Sequence, residues 1–348
     1  MKATLFNEDG TISLGERPDP TLHEPTDALV RVVRGCVCGS DLWYYRGINK
    51  HRAGSIGHEF IGVVEAIGSA VTTLKVGDLV IAPFTFNDGT CPACVAGFTA
   101  NCFHGGSFGD GIHDGGQGER VRSPFADATL VPVPRPEGGF TDDLLASLTA
   151  LSDVACTGYH AAVSAGVGPG DTVAVVGDGA VGLSAVQAAK LLGAKRIIAL
   201  SRHPERQAVA WKFGATDVVE TRGDAAVEDV LKLTDGVGVD AALECVGTDQ
   251  SIATCVGIVR AGGRIGAVGV PTYQEFQYRT VFWKNVRLGG GVAHARHYID
   301  QLLPHVLDGS INPGLVFDFA TDLDHVAEAY SAMDERRAIK SLLVVSEP

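Results

Sequence analysis

The residues with the most chemistry in them are cysteines, a histidine and carboxylates in short, separated motifs. In "RGCVCGSD" Cys36 and Cys38 stand one residue apart, followed by Ser40 and Asp41. Further on, "GSIGHEFIG" sets His58 beside Glu59, and "LSDVACTGYH" carries Asp153. Thiolate sulfur, imidazole nitrogen and carboxylate oxygen are the donors zinc takes, and a catalytic site keeps one position for water or substrate. Each residue also has a plainer reading. A lone cysteine behaves as a small buried hydrophobe, a histidine can be satisfied in a loop, and Asp153 can cap the helix predicted over "VACTGYHAAV". A second group, Cys91, Cys94 and Cys102, has C-x2-C-x7-C spacing in "CPACVAGFTANC".

The third motif is "VAVVGDGAVG", with Gly177, Gly179 and Gly182 after an apolar run and before a helical pattern. Such glycines allow a tight turn, close approach of backbone to a pyrophosphate, and close helix–strand packing. The helix N-terminus then offers free N–H groups to phosphate. The alternative is a turn with no ligand.

Elements must bring these motifs together. At 348 residues the chain exceeds the size at which one core keeps growing, so two domains are expected. Residues 1–153 read as short strands broken by Gly, Pro and Asp, such as "ALVRVV", "EFIGVVEAIG" and "DLVIAPF", the pattern of an irregular, mostly antiparallel domain. From 154 to 293 strands alternate with helical stretches, which implies a parallel doubly wound sheet. Helices are expected over "ERQAVAWKFGA", "AAVEDVLKLT" and "SIATCVGIVRAG", and strands over "VDAALECVG" and "GRIGAVGV". Residues 294–348 lose this regularity and are expected to return to the first domain. "GGSFGDGIHDGGQGE" (105–119) is too glycine-rich to suggest core and reads as a mobile loop near the cleft.

A net charge of −13 leaves no basic stripe to neutralise phosphates, which argues against nucleic acid as a partner. Glu8 and Asp9 interrupt the N-terminus before a signal-peptide core forms. The apolar stretch near the glycine motif carries Asp178 and does not read as a membrane span. Eight cysteines without a secretory signal point to metal or free thiols in a cytoplasmic protein.

Taken in order, CGSD, GHE, a carboxylate before TGYH, and GxGxxG resemble the zinc-dependent medium-chain dehydrogenase/reductase superfamily, the zinc alcohol dehydrogenases. The resemblance covers nearly the whole chain. It implies an α/β protein: a Rossmann doubly wound parallel-sheet coenzyme domain (154–293) plus a mostly β, GroES-like catalytic domain in two segments (1–153 and 294–348). It implies Cys38, His58 and Asp153 as catalytic zinc ligands, with Glu59 beside the metal and Asp41 hydrogen-bonded to His58. Cys36 falls where relatives have a small residue and is read as a structural thiol. The family's structural zinc loop has four cysteines; here Asp88 stands at the first position, so Asp88, Cys91, Cys94 and Cys102 form the implied site. The plainer alternative is a loop that has lost its metal.

The reaction so implied is reversible hydride transfer between an alcohol carbon and a nicotinamide cofactor, with small alcohols or carbonyls as substrates and zinc as Lewis acid. Ser40 matches the hydroxyl that takes the alcohol proton. Relatives place a histidine shortly afterwards to pass it on; here Trp43 occupies that region, leaving water, His51 or the cofactor ribose as continuations. Thr157 matches a nicotinamide contact, and Lys340 a basic residue near the cofactor phosphates. Ala180, Val181, Val246, Gly247, Val268 and Val270 complete the implied cofactor contacts. The edge strand in "NVRLGGGVAH" pairs with its twin in relatives, implying a homodimer or homotetramer.

Cofactor choice is read at the end of the second strand of the coenzyme domain, where NAD-specific sites offer Asp or Glu to the ribose 2′-hydroxyl. Here "RIIAL" ends in Ser201, Arg202 and His203. No carboxylate stands there to repel a phosphate, and Arg202 can bind one. Glu205 follows Pro204 and belongs to the next helix. The expectation is NADP(H). Two other readings remain: a zinc-free quinone or alkene reductase of the same superfamily, and a dinucleotide-binding protein without catalysis.

Overall fold

The strand Ala28–Cys36 alternates buried and half-buried residues and then runs wholly buried from Val32, so both of its faces are covered from there on. In the computed structural model, which describes residues 1–7, 10–272 and 274–348, it lies inside a seven-stranded sheet. Glu8, Asp9 and Tyr273 lie outside the described residues. The chain divides into two compact units, Met1–Asp153 with His294–Pro348, and Val154–Ala293.

In the first unit the sheet runs Val131–Pro132, Leu79–Ala82, Phe60–Ile67, Ala28–Cys36, Lys340–Val344 and Phe317–Asp322, with Arg120–Ser123 also pairing with Ala28–Cys36. Its pairings are antiparallel except for that between the last two strands. Register determines which side chains meet. Phe60 pairs with Gly35 and Leu342 with Cys36, so Glu59 and Lys340 fall beside the turn that carries Cys38.

The glycine-rich segment 105–119 differs from the expected mobile loop. Phe108 is fully buried and meets Phe60 and Phe86 edge-on, with ring centres 5.1 and 5.6 Å away. Burial of such a ring contributes about 1.5–3 kcal/mol. The glycines serve close packing: a Cβ on Gly115 would lie 2.1 Å from the Ile56 carbonyl oxygen. Composition suggested freedom where the chain uses glycine for contact.

The second unit holds a six-stranded parallel sheet ordered Asp217–Val219, Arg196–Leu200, Thr172–Val176, Val239–Glu244, Val259–Ala267, Arg287–Gly290. That order, with the first strand central, is the Rossmann arrangement. Helices start where the sequence offers caps. Pro204 opens Pro204–Phe213 and Gly214 closes it in a left-handed conformation; Thr248 and Ser251 form a capping box on Asp249–Ile258. One boundary moves: the helix expected through "SIATCVGIVRAG" ends at Ile258, and strand begins at Val259. Among the described residues no helix is long and apolar enough to cross a membrane.

Candidate functional site

Cys38 leaves the strand Ala28–Cys36 on a turn closed by Asp41, whose Oδ2 accepts the Cys38 N–H at 3.0 Å while the Asp41 N–H returns to the Cys38 carbonyl. His58 precedes the strand Phe60–Ile67, with Glu59 buried at its mouth. Asp153 follows a tight turn in which Ser152 Oγ donates to the Thr149 carbonyl at 2.6 Å. One donor atom from each of Cys38, His58, Glu59 and Asp153 lies within 4.8 Å of the others. His58 Nε2 is 3.5 Å from Asp153 Oδ2, and Cys38 Sγ is 3.7 Å from the same oxygen.

The electrostatics of this cluster favour a cation. Burial and the neighbouring Glu59 push the Cys38 thiol up, and burial pushes Glu59 up. Burial opposes a charged His58, yet Cys38 and Asp153 outweigh it and hold the ring well above its ordinary value. Donors that retain protons for want of positive charge would release them to a metal. Glu59 supplies a further sign: Oε1 accepts from Lys340 Nζ at 2.7 Å, while Oε2 is buried without a partner. A sulfur, nitrogen and oxygen donor set with an orphaned buried oxygen suits zinc.

Lys340, matched by the resemblance to a basic residue near the cofactor phosphates, pairs here with Glu59. It is 1% exposed, and its ammonium donates to Glu59 and to the Val37 carbonyl, the latter at 3.2 Å. Asp41 departs from expectation. Its Oδ1 is 3.6 Å from His58 Nδ1, an ion-pair distance beyond hydrogen-bond range. Its Oδ2 instead accepts from Gln117 Nε2 at 3.1 Å. Gln117 donates to the Cys36 carbonyl as well and accepts from the Tyr330 hydroxyl at 3.0 Å. Sequence reasoning missed Gln117, whose only signal was a lone amide within a run of glycines.

Ser40 is half-buried immediately before the short helix Asp41–Tyr45, and its side chain makes no capping bond there. Trp43 is half-buried on that helix. His51 has Nδ1 on the Arg52 carbonyl at 2.6 Å and Nε2 on the Gly109 carbonyl at 2.9 Å. Both contacts are to carbonyl oxygens, and a neutral ring, with its single N–H, donates to only one of them.

In the second cluster, donor atoms of Asp88, Cys91, Cys94 and Cys102 likewise lie within 4.8 Å of one another. Backbone N–H groups of Asp88 and Phe103 point at Cys102 Sγ and Cys91 Sγ, at 3.3 and 3.5 Å. Burial would raise Asp88, but the Cys91 N–H, the His104 ring and the Thr90 N–H outweigh it and hold the carboxyl far below the usual range. His104 Nδ1 is 2.6 Å from Asp88 Oδ2. His104, two residues after Cys102, also escaped sequence reasoning.

In the second unit, Gly177 has φ +121°, and a Cβ on Gly182 would lie 2.0 Å from the Gly177 carbonyl oxygen. Gly179 precedes the helix Ala180–Leu191, which places Ala180 and Val181 in its first turn. Glu244 Oε1 accepts from the Val246 and Gly247 N–H groups at 2.8 Å each, and its carbonyl accepts from Val268 N–H at 2.9 Å. Val246 and Val270 are exposed, and Thr157 is half-buried on Val154–Ser164. Ser201 is buried and Arg202 exposed; Glu205 is exposed in the helix Pro204–Phe213, as expected. One expectation fails here. A carboxylate does stand at the end of Arg196–Leu200, contributed by the glycine turn: Ser201 Oγ donates to Asp178 Oδ2 at 2.9 Å.

The profile of a family described as zinc-binding dehydrogenase matches residues 180–308, and that of an alcohol dehydrogenase GroES-like domain matches residues 24–135. A probable zinc-binding alcohol dehydrogenase of Mycobacterium tuberculosis is 32% identical over 97% of this chain and 86% of its own length. Among solved structures, the alcohol dehydrogenase TADH from Thermus sp. ATN1 superposes with a TM-score of 0.90 at 35% identity, covering 99% of this chain and 100% of that one. A zinc-binding dehydrogenase of Sinorhizobium meliloti 1021, described as putative and bound to NADP, gives 0.81 at 26% identity, covering 99% and 98%.

Proposed function

We propose, from the premise that the chain belongs to the zinc-containing medium-chain dehydrogenase/reductase superfamily, that it is an alcohol dehydrogenase that also works as a carbonyl reductase. The reaction is reversible hydride transfer between the carbon of a small alcohol and NADP. The observation that carries this reading is the convergence of Cys38, His58, Glu59 and Asp153 from separate parts of the chain into one donor set.

Cys38, His58 and Asp153 would hold zinc, with Glu59 beside it, and Asp88, Cys91, Cys94 and Cys102 would hold a second, structural ion. Zinc supplies Lewis-acid polarisation of the substrate oxygen, and the nicotinamide supplies or accepts the hydride. The chain's own residues orient and move the proton. Ser40 Oγ accepts it from the alcohol hydroxyl and passes its own proton onward to water. Gln117 and Asp41 steady the turn that carries Cys38. Lys340 compensates one of the negative charges gathered there.

For the cofactor, Gly177, Gly179 and Gly182 would receive the pyrophosphate at the helix N-terminus, with Ala180 and Val181. Thr157, Val246, Gly247, Val268 and Val270 would line the nicotinamide half, and Ser201 with Arg202 the 2′-phosphate. That last pair, with the NADP bound in the Sinorhizobium neighbour, supports NADP over NAD. A homodimer or homotetramer is supported by the free edge of Arg287–Gly290 and by Tyr278, Phe282 and Trp283, exposed at 67%, 58% and 72%; a monomer mass in light scattering at micromolar protein refutes it. Eight cysteines that form no disulfide among the described residues support a cytoplasmic location.

The test is a panel of primary and secondary alcohols, aldehydes and ketones assayed with both cofactors, alongside zinc analysis. Turnover with NADP(H) and two zinc ions per chain are expected. Reduction of quinones or activated alkenes by zinc-free protein establishes the other enzymatic reading, and cofactor binding without any turnover the non-catalytic one.

A further inference from the structure

Asp178, the second residue of the glycine motif, turns its carboxylate toward the end of the strand Arg196–Leu200. Oδ2 accepts from Ser201 Oγ at 2.9 Å, and Oδ1 lies 3.2 Å from Arg206 Nη1, which also reaches the Asp178 carbonyl at 3.4 Å. The Asp178 and Arg206 side chains are 13% and 15% exposed, so the pair is only partly screened by water. Around it, Gln207 Nε2 donates to the Ser201 carbonyl and to Glu220 Oε1, at 2.9 and 3.0 Å. Arg202 and Glu205 are exposed nearby in sequence. Two cations thus stand among three carboxylates at the place where Rossmann sheets read the adenosine ribose.

We infer that Asp178 is a specificity-determining residue that sets how strongly this site prefers a phosphorylated ribose. The argument is competition for donors. A 2′-phosphate carries nearly two negative charges and would recruit the Ser201 hydroxyl and the free arginine groups. The one proton of that hydroxyl is already donated to Asp178, and part of the Arg206 guanidinium is paired with the same carboxylate. A phosphate must displace Asp178 or bind beside its charge, and repulsion at such range is strong where water is partly excluded. A 2′-hydroxyl meets no such obstacle, because an ionised carboxylate accepts its hydrogen bond. Asp178 thereby supplies from the turn the group that NAD sites take from the strand end, while Arg202 and Arg206 pull toward phosphate. Arg206 is the second cation of the phosphate site, available once Asp178 releases it.

The inference rests on the dinucleotide reading proposed above, and binding measurements separate the two. Dissociation constants for NADPH and NADH are measured by fluorescence titration on the full chain and on Asp178→Asn, which removes the charge and keeps the shape. The ratio Kd(NADH)/Kd(NADPH) is expected to rise about tenfold or more, chiefly through tighter NADPH. A ratio within about twofold of the unmodified protein overturns the inference, as does equal weakening of both cofactors, the result expected of a mere brace for the turn. Should Asp178→Asn fail to fold, Asp178→Ser gives the same readout. Tighter NADH than NADPH in the unmodified protein refutes the NADP preference alone; the shift in ratio with Asp178→Asn still decides the role of Asp178.

Discussion

The two donor clusters of the first unit use similar chemistry and opposite construction. Asp88, Cys91, Cys94 and Cys102 come from fifteen consecutive residues, and local backbone N–H groups point at their sulfurs. Cys38, His58, Glu59 and Asp153 come from three distant stretches, and they meet because one sheet sets the register of two of them. Around the first cluster the support is local: turn N–H groups and His104. Around the second it is long-range: Lys340, Gln117 and Tyr330 reach in from elsewhere in the chain. A locally built site can stabilise the loop that forms it, whereas a site built at long range depends on a fold already made.

This contrast can be broken by mutation. The largest effect is expected from Cys38→Ser, which should lower turnover about a thousandfold or more, since Lewis-acid stabilisation is worth several kcal/mol. Zinc content should fall by one ion, with NADPH binding and thermal stability nearly unchanged; retained activity would remove Cys38 from the site. Next comes Gln117→Leu. It takes the amide from Asp41 and the Cys36 carbonyl and leaves the Tyr330 hydroxyl without its acceptor. Loss of an outer hydrogen bond around metal ligands costs about tenfold or more in affinity or activity. Zinc retention against a chelator and kcat should fall together, and a change in neither would make Gln117 only core. Cys91→Ser should have the smallest effect on turnover at room temperature. Its cost should appear in the melting temperature, lowered by about 5–10 °C if a few kcal/mol of metal-linked stability is lost. A melting curve that does not move would mean that the loop holds no metal.

Much of the protein was legible before any coordinates, for reasons that differ by region. The parallel sheet announced itself through alternating apolar runs and helical stretches, and the glycine motif through its position between them. The three cysteines of the loop cluster are legible because they share one short spacing, and Asp88 joins them through the family resemblance. What escaped were contacts that depend on the placement of distant backbone. Gln117 looked like part of a mobile segment because glycine content was read as freedom, when Gly115 is there to touch Ile56. Asp178 enters the sequence reading only as a charge within an apolar stretch, and Arg206 not at all, because nothing in sequence says that turn and helix converge on Ser201. The ion pair of Lys340 with Glu59 escapes the sequence because it depends on the pairing of Leu342 with Cys36.

The strand Lys340–Val344 lies between Ala28–Cys36 and Phe317–Asp322, inside the sheet rather than at its margin. During synthesis this creates a waiting time. The first segment of its unit ends at Asp153, and at common elongation rates the ribosome needs roughly 10 to 40 s more to make the missing strand. Meanwhile Arg34–Cys36, the end of Ala28–Cys36 beyond its pairing with Arg120–Ser123, is an unpaired stretch of sheet edge, and Glu59 lacks the Lys340 counter-charge. The Rossmann unit, complete at Ala293, can fold in that interval. The nascent chain therefore completes its middle before its beginning, and the unit with the two donor clusters is the one most in need of chaperone cover and most sensitive to a premature stop near its end.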